Sequence, residues 1–467
     1  MYMDGRDPSP NGSSAQLYQE TLAITSESIP AEVLSLILLL AHPKRRFPHE
    51  LPFEVVASHV SRFWRGVALM TPFLWNEINI YSGKSMECAA HYIRRSGTTL
   101  PLNVRIDLYR ADKQLASNPF INQSKDLARA VADKLVPHLH RVGKLTILCY
   151  SDQTAIALQS HFRTANVPVL EYYSVGYGRI KATQPNARAT GFRIFPEEAP
   201  KLTFLETETY QVLPSLESLK NLTTLYLHSL TPGSGINYPT FVTNLTSLPS
   251  LTSLSLQGTI DLRNWPLHSA APDFTLKSLK SLRLLDDSSM AARLLLSMAA
   301  PRLESIWLDC SFDNFHFLFD SPQLKTAIKF KKLKYLTIQS DNLALSPQFS
   351  EAFPNVTHVH FRYPLFNHVV KLEAALNVRW LTVNTLVFTM FKEHTATKLN
   401  DCLKNLLPRR RTAGHPMEAL LVDADHLQFL KQSAPQLFNQ IQIENISTNN
   451  YQEFWWNKFE EKQRERV

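Results

Sequence analysis

Apolar residues recur along this chain in two periods, and the change from one to the other divides it. Between Ser28 and Met70 they keep helical spacing. Ser28-Ile29-Pro30 precedes Ala31-Glu32-Val33-Leu34-Ser35-Leu36-Ile37-Leu38-Leu39-Leu40. Ser28 is a fit N-cap, Pro30 suits a first turn where its missing N–H costs nothing, and Glu32 favours the positive end of the helix dipole. A helix apolar nearly all round must be covered by its own body or by a partner. A polar loop at 42–51 leads to a second helix from Pro52-Phe53. Phe53, Val56, Ala57, Val60, Trp64, Val67 and Ala68 hold the helical period, and Pro72 ends the helix near Met70. Ile78-Asn79-Ile80-Tyr81 then alternates like a strand. Residues 85–95 and 124–140 read as helices around a strand-like stretch at 101–107.

From about residue 141 the period shortens. A pattern of apolar, two spacers, apolar, one spacer, apolar recurs at Val142/Leu145/Ile147, Leu170/Tyr173/Val175, Leu202/Leu205/Thr207, Leu222/Leu225/Leu227, Leu251/Leu254/Leu256 and Leu279/Leu282/Leu284. It continues at Leu303/Ile306/Leu308, Leu333/Leu336/Ile338, Val356/Val359/Phe361, Val383/Leu386/Phe388 and Met417/Leu420/Val422. The last two positions point to one face of a short strand. One such unit cannot bury that face alone, whereas stacked copies can. Pro168, Pro200, Pro249, Pro301 and Pro354 open the motif where the chain turns into the strand. The spacing lies near the leucine-rich-repeat range. The asparagine or cysteine of that repeat is absent; Leu230, Thr259, Asp287, Ser311, Asp341 and Pro364 stand in its place. The expected fold is therefore α/β: a short N-terminal helical segment followed by an irregular leucine-rich-repeat-like solenoid of parallel strands with helices. The expected divisions are a disordered tail at 1–25, helices at 26–80, a linking α/β region at 81–140, the repeats at 141–450 and a C-terminal capping helix at 451–467.

Composition narrows the function. No apolar run approaches the roughly 20 residues of a membrane-spanning helix, and the N-terminus lacks the pattern of a secretory signal. Cys88, Cys149, Cys310 and Cys402 are scattered, so neither a disulfide framework nor a zinc site is indicated. His358-Val359-His360 has no carboxylate or cysteine close by in sequence, and no metal or other cofactor is expected. The Gly-x-Ser-x-Gly elbow, the phosphate-binding Gly-rich loop, the kinase catalytic loop and His-Glu-x-x-His are all missing, which argues against an enzyme. Net charge is +8, but the 49 basic and 41 acidic residues are interspersed. That favours protein partners over nucleic acid or a membrane. Lys44-Arg45-Arg46 and Arg409-Arg410-Arg411 are two short basic clusters that fit either solvated loops or nuclear-import tags.

The segment Ile29-Pro30-x-Glu32-Val33-Leu34-x-x-Ile37-Leu38, then Val60-Ser61-Arg62-Phe63-Trp64-Arg65-Gly66-Val67-Ala68, then Pro72-x-Leu74-Trp75, resembles the F-box. It looks like the form found in mushroom-type fungi, with a longer loop between the first two helices. There are two departures from the usual pattern: Ile29 replaces leucine, and Ser61-Arg62-Phe63 replaces the Cys-Arg-Arg or Cys-Lys before tryptophan. The resemblance implies a non-catalytic subunit of a Skp–cullin–F-box ubiquitin ligase in the cytoplasm or nucleus. Ile29, Pro30, Val33, Leu34, Ile37, Val60 and Trp64 would meet the Skp-family linker or support the helices that do, and the linker would join the chain to a cullin. The repeats would hold a target protein. Strand residues between the core positions give a candidate target footprint of Arg283, Trp307, Asp309, Tyr335 and His360, among which the Arg, Trp and Tyr are types enriched at binding hot spots. The competing readings are a repeat scaffold that joins proteins without binding a ligase and a nucleic-acid binder, the latter favoured only by the pI and the arginine clusters.

Overall fold

The computed structural model describes residues 29–43, 51–109, 122–149, 152–162, 165–177, 199–207, 216, 219–230, 238–258, 274–286, 288–310, 330–339, 353–362, 372–373, 375–378, 380–389 and 393–446. The expected tail at 1–25, the Lys44-Arg45-Arg46 cluster and the capping helix at 451–467 lie outside these residues.

Three helices open the described chain: α1 (Ala31–Ala41), α2 (Phe53–Ser58) and α3 (Arg62–Leu69). In α1 only Leu34 and Leu38, one turn apart, are buried. The single helix expected over 53–70 is in fact two. Ser61 adopts an extended backbone and its hydroxyl accepts the Trp64 N–H at 3.2 Å, which begins a new helix at Arg62. Ser61 is therefore the residue that breaks the run and caps the new helix. A short 3-10 turn, Pro72–Trp75, leads into the sheet. Trp75 is fully buried and its indole N–H donates to the Ala68 carbonyl at 2.8 Å. Its ring meets Tyr92 edge-on at 5.1 Å and lies 4.3 Å from the Arg95 guanidinium. Trp75 thus joins α3 to the helix after the first strand.

A parallel sheet of 14 strands comes next, each pairing with its successor in chain order. The strands are β1 (Glu77–Ile80), β2 (Leu102–Asp107), β3 (Val142–Cys149), β4 (Tyr172–Tyr177), β5 (Phe204–Thr207), β6 (Thr224–Leu230) and β7 (Ser253–Gly258). They continue as β8 (Ser281–Asp286), β9 (Ser305–Cys310), β10 (Tyr335–Gln339), β11 (His358–Arg362), β12 (Thr385–Thr389), β13 (Ala419–Val422) and β14 (Gln442–Asn445). Helices in the crossovers include α4 (Gly83–Arg95), α5 (Asn122–Leu135), α6 (Asp152–Phe162), α7 (Tyr238–Thr246), α8 (Ser288–Ser297), α9 (Glu393–Thr412) and α10 (Ala424–Ser433). A separate short pair joins Phe274–Thr275 to Met298–Ala299. Stacking in chain order makes the α/β fold solenoid-like. The region at 81–140, read from sequence as a link, supplies β2, α4 and α5 to this same sheet.

The register follows the periodicity. Leu254, Leu282, Ile306, Leu336, Val359, Leu386 and Leu420 form one buried row, and Leu256, Leu284, Leu308, Ile338, Phe361, Phe388 and Val422 form the next. Both rows share one core with side chains of the crossover helices, such as Val131, Leu158, Phe241, Leu294 and Leu403. The repeat is longer than the sequence pattern indicates. Three residues before ten of the eleven leading apolar positions, all but Met417, stands another buried apolar residue: Leu139, Val167, Ala199, Leu219, Leu248, Leu276, Ala300, Phe330, Phe353 and Trp380. Its carbonyl accepts the N–H of the leading residue, as in Leu202 N–H to Ala199 and Val383 N–H to Trp380 at 3.2 Å. This is a β-turn, and the recurrent prolines occupy its second position, where their fixed φ fits.

Side chains tie successive turns together. Asn221 donates to the Pro200 carbonyl at 2.7 Å, Ser278 to Pro249 at 2.6 Å, and Thr382 to Pro354 at 2.9 Å. One residue past the leading apolar position, Thr203, Thr223, Thr252 and Thr357 donate to carbonyls of the preceding repeat. The second basic cluster is likewise absorbed by the fold. Arg409 pairs with Glu373 at 2.8 Å and Arg411 donates to the Gln440 carbonyl at 2.9 Å. Arg410 is buried and reaches the carbonyls of Leu376, Trp380, Leu381, Val383 and His415.

Candidate functional site

Two surfaces carry the positions singled out by sequence. The first is the outer face of α1–α3. With Leu34 and Leu38 turned inward, α1 leaves Val33, Leu36, Ile37 and Leu40 exposed, Leu40 to 87%. The next helices and the turn after them add Val56, Val60, Leu69, Met70 and Phe73. Among the described residues, ten of the fourteen exposed large apolar side chains lie between Val33 and Phe73. That concentration sets this segment apart from the other described residues.

The seven predicted docking positions divide accordingly. Val33, Ile37 and Val60 are exposed, Pro30 is exposed beside them, and Ile29 and Trp64 are half-buried against the core. Leu34 is wholly buried and supports α1 from beneath. Leu36, Leu40, Val56, Leu69, Met70 and Phe73 were missed. Their signal was legible: on α1 they are the apolar positions off the Leu34/Leu38 stripe. A buried carboxylate holds the helices from below. Glu54 accepts the Tyr92 hydroxyl and lies 3.5 Å from His42 Nε2.

The second surface is the sheet face away from the crossover helices. Its central row reads Ser174, Glu206, Tyr226, Ser255, Arg283, Trp307, Thr337, His360, Val387 and Leu421. Val387 and Leu421 form a small apolar cluster separate from the main core, with Tyr335 and Ile446 against it. The predicted footprint does fall on this face, in three adjacent rows: Tyr335 in one, Arg283, Trp307 and His360 in the next, Asp309 in the third. It is not an open patch. Arg283, Trp307 and His360 are buried, and Asp309 and Tyr335 are half-buried. The side chains cover one another. The Arg283 guanidinium lies 4.0 Å from the Trp307 ring and that of Arg362 lies 4.8 Å from it. His360 Nε2 meets the Thr389 hydroxyl at 2.9 Å, and Tyr335 packs on His358 at 4.7 Å. Burial, then the Arg362 charge, pushes the His360 pKa down to about 3, and burial brings His358 down to about 4. Both rings are neutral at neutral pH.

One group on this face invites a catalytic reading. The Ser174 hydroxyl donates to Glu206 at 2.6 Å, Glu206 lies 3.5 Å from His228 Nε2, and His228 Nδ1 meets Gln257 at 3.0 Å. The carboxylate stands between the hydroxyl and the imidazole. A hydrolytic triad requires the imidazole between them, so that it can take the hydroxyl proton. This order does not activate Ser174. No known family's sequence profile matches this chain, and no curated protein matches it. Among the described residues, no group of three or more His, Cys, Asp or Glu side chains is placed to hold a metal ion, and no helix is long and apolar enough to cross a membrane. Burial raises the Cys402 thiol to about 12, which keeps it protonated and unreactive.

Proposed function

We propose that this chain is a substrate-recognition adaptor of the F-box type, with a leucine-rich-repeat-like body. The helices α1–α3 dock on the Skp-family linker of a cullin-based ubiquitin ligase, and the repeats hold a target protein. The observation that carries this reading is the concentration of exposed apolar side chains on α1–α3. Large contiguous apolar patches on soluble proteins mark interaction sites. Burying them in a partner is favourable at roughly 25 cal/mol per Å². Val33, Ile37 and Val60 make the contact on this account, and Leu34 and Leu38 keep α1 seated beneath it. The role is assembly, with no reaction assigned to the chain.

The test is co-purification with the cognate Skp-family linker, wild type beside Ile37→Asp/Val60→Asp. Both side chains are well exposed, at 42% and 56%, so the variant keeps its fold, checked by circular dichroism. Wild type should retain the linker and the folded variant should lose it. If wild type brings down no linker, a repeat scaffold that joins proteins without a ligase replaces this reading.

A further inference from the structure

Three consecutive turns at the entry edge of the sheet carry a cluster of cations. They are 276–280, 300–304 and 330–334, which lead into β8, β9 and β10. They hold Lys277, Lys280, Arg302, Lys331, Lys332 and Lys334 against one carboxylate, Glu304. The local charge is +5, where the whole chain carries +8. All six cations are exposed, and among the described residues none makes an ion pair. The patch has limits: the turns on either side hold Pro249-Ser250 and Pro354-Asn355.

The fold does not call for these charges. Proline, serine, threonine and asparagine fill the same turn positions in neighbouring repeats. Thr223, Thr252 and Thr357 stand where Lys280 and Lys334 stand, and each donates a hydroxyl hydrogen bond to the repeat before it. The two lysines forgo that bond. Six cations that share one carboxylate, and that make no ion pair among the described residues, fit an external anion.

Two features choose among anions. Glu304 sits between Lys280 and Lys334 in the same row, since its N–H bonds the Lys280 carbonyl and its carbonyl accepts from Lys334. A phosphate backbone is charged at every link and would be repelled there, whereas a peptide places an uncharged residue there. Among the described residues, no exposed aromatic ring stands among the six for a base to stack on. Strands about 4.8 Å apart make the patch about 10 Å wide, and an extended peptide presents alternate side chains about 6.8 Å apart. We propose that this edge docks an acidic peptide segment in extended form, with carboxylates at alternate positions. The proposal is independent of linker binding, because the patch lies on the repeats and not on α1–α3.

The test uses the full-length chain and a fluorescent peptide of alternating glutamate and glycine, followed by anisotropy at low and raised salt. Single-stranded and duplex DNA of equal charge serve as competitors. Lys280→Thr/Lys332→Gln/Lys334→Thr restores the threonine of sister repeats, so its melting curve should match wild type. The variant should bind the peptide about tenfold more weakly, as loss of three exposed charge contacts implies, and salt should weaken wild type toward it. Equal binding by variant and wild type overturns the proposal, as does no binding by wild type. DNA that outcompetes the peptide, with that advantage lost in the variant, assigns the edge to nucleic acid instead.

Discussion

Arg410 shows how much one side chain can hold. Its five N–H donors meet five backbone carbonyls, four before β12, including Val383 at 2.7 Å, and one, His415 at 3.0 Å, between α9 and β13. Lysine has three donors and glutamine two, so either replacement leaves buried carbonyls without partners. Arg410→Gln should destabilise the chain by about 3 kcal/mol, measured by denaturant unfolding. His360 makes a different prediction. Its pKa lies near 6.5 in the unfolded chain and falls to about 3 when folded. Between those values the unfolded state binds a proton that the folded state refuses. Stability is therefore full above pH 6.5 and declines as pH falls through this window. His358, lowered to about 4, adds to the decline. His360→Asn should lose less stability than wild type between pH 7 and 4, read as the shift of melting temperature with pH.

At the scale of elements, the strands were legible and the turns only half so. Leu254 and Leu256 sit two apart on a strand, and that spacing alone assigns them to one face. The buried residue that opens each turn escaped notice because its identity varies, from Ala199 and Ala300 to Phe330 and Trp380. The constant there is a backbone hydrogen bond, which leaves no mark in a residue pattern. The prolines were visible, but only the turn explains them. The break between α2 and α3 was hidden because Val60 and Trp64 keep a helical period across it, and a cap acts through one hydroxyl. Burial on the face away from the helices was also unreadable: Arg283 and Trp307 have the types of a binding hot spot, yet cover each other through strand pairing set at long range. The two faces of α1 predict opposite outcomes. Leu34→Ala opens a cavity and should cost about 2–5 kcal/mol. Ile37→Asp should leave the melting temperature nearly unchanged. Asn221→Ala, which removes one link between turns, should cost about 1 kcal/mol.

At the scale of the whole molecule, the sheet gives each interior strand two neighbours, its predecessor and its successor in the order. Stability then builds from adjacent contacts, and a unit cut from its neighbours exposes both faces. The N-terminal helices share this dependence through Trp75, Ile78 and Ile80, all buried in the core that continues into the repeats. A fragment of residues 26–80 should therefore show weak, non-cooperative helix melting by circular dichroism, whereas the full chain melts cooperatively. The arrangement places the exposed apolar face of α1–α3 at one end of a long repeat body, with the basic edge of β8–β10 well along it. The adaptor role proposed above needs such separation, since an adaptor holds two partners at once.

The central claim is that α1–α3 meet the linker. Hydrogen exchange of the full chain, alone and with its cognate Skp-family linker, tests it most directly. The account predicts new protection confined to peptides covering Val33–Leu40 and Val56–Phe73, with the repeats unaffected. Unchanged exchange in those peptides at saturating linker, or protection that falls on the strands instead, would contradict it.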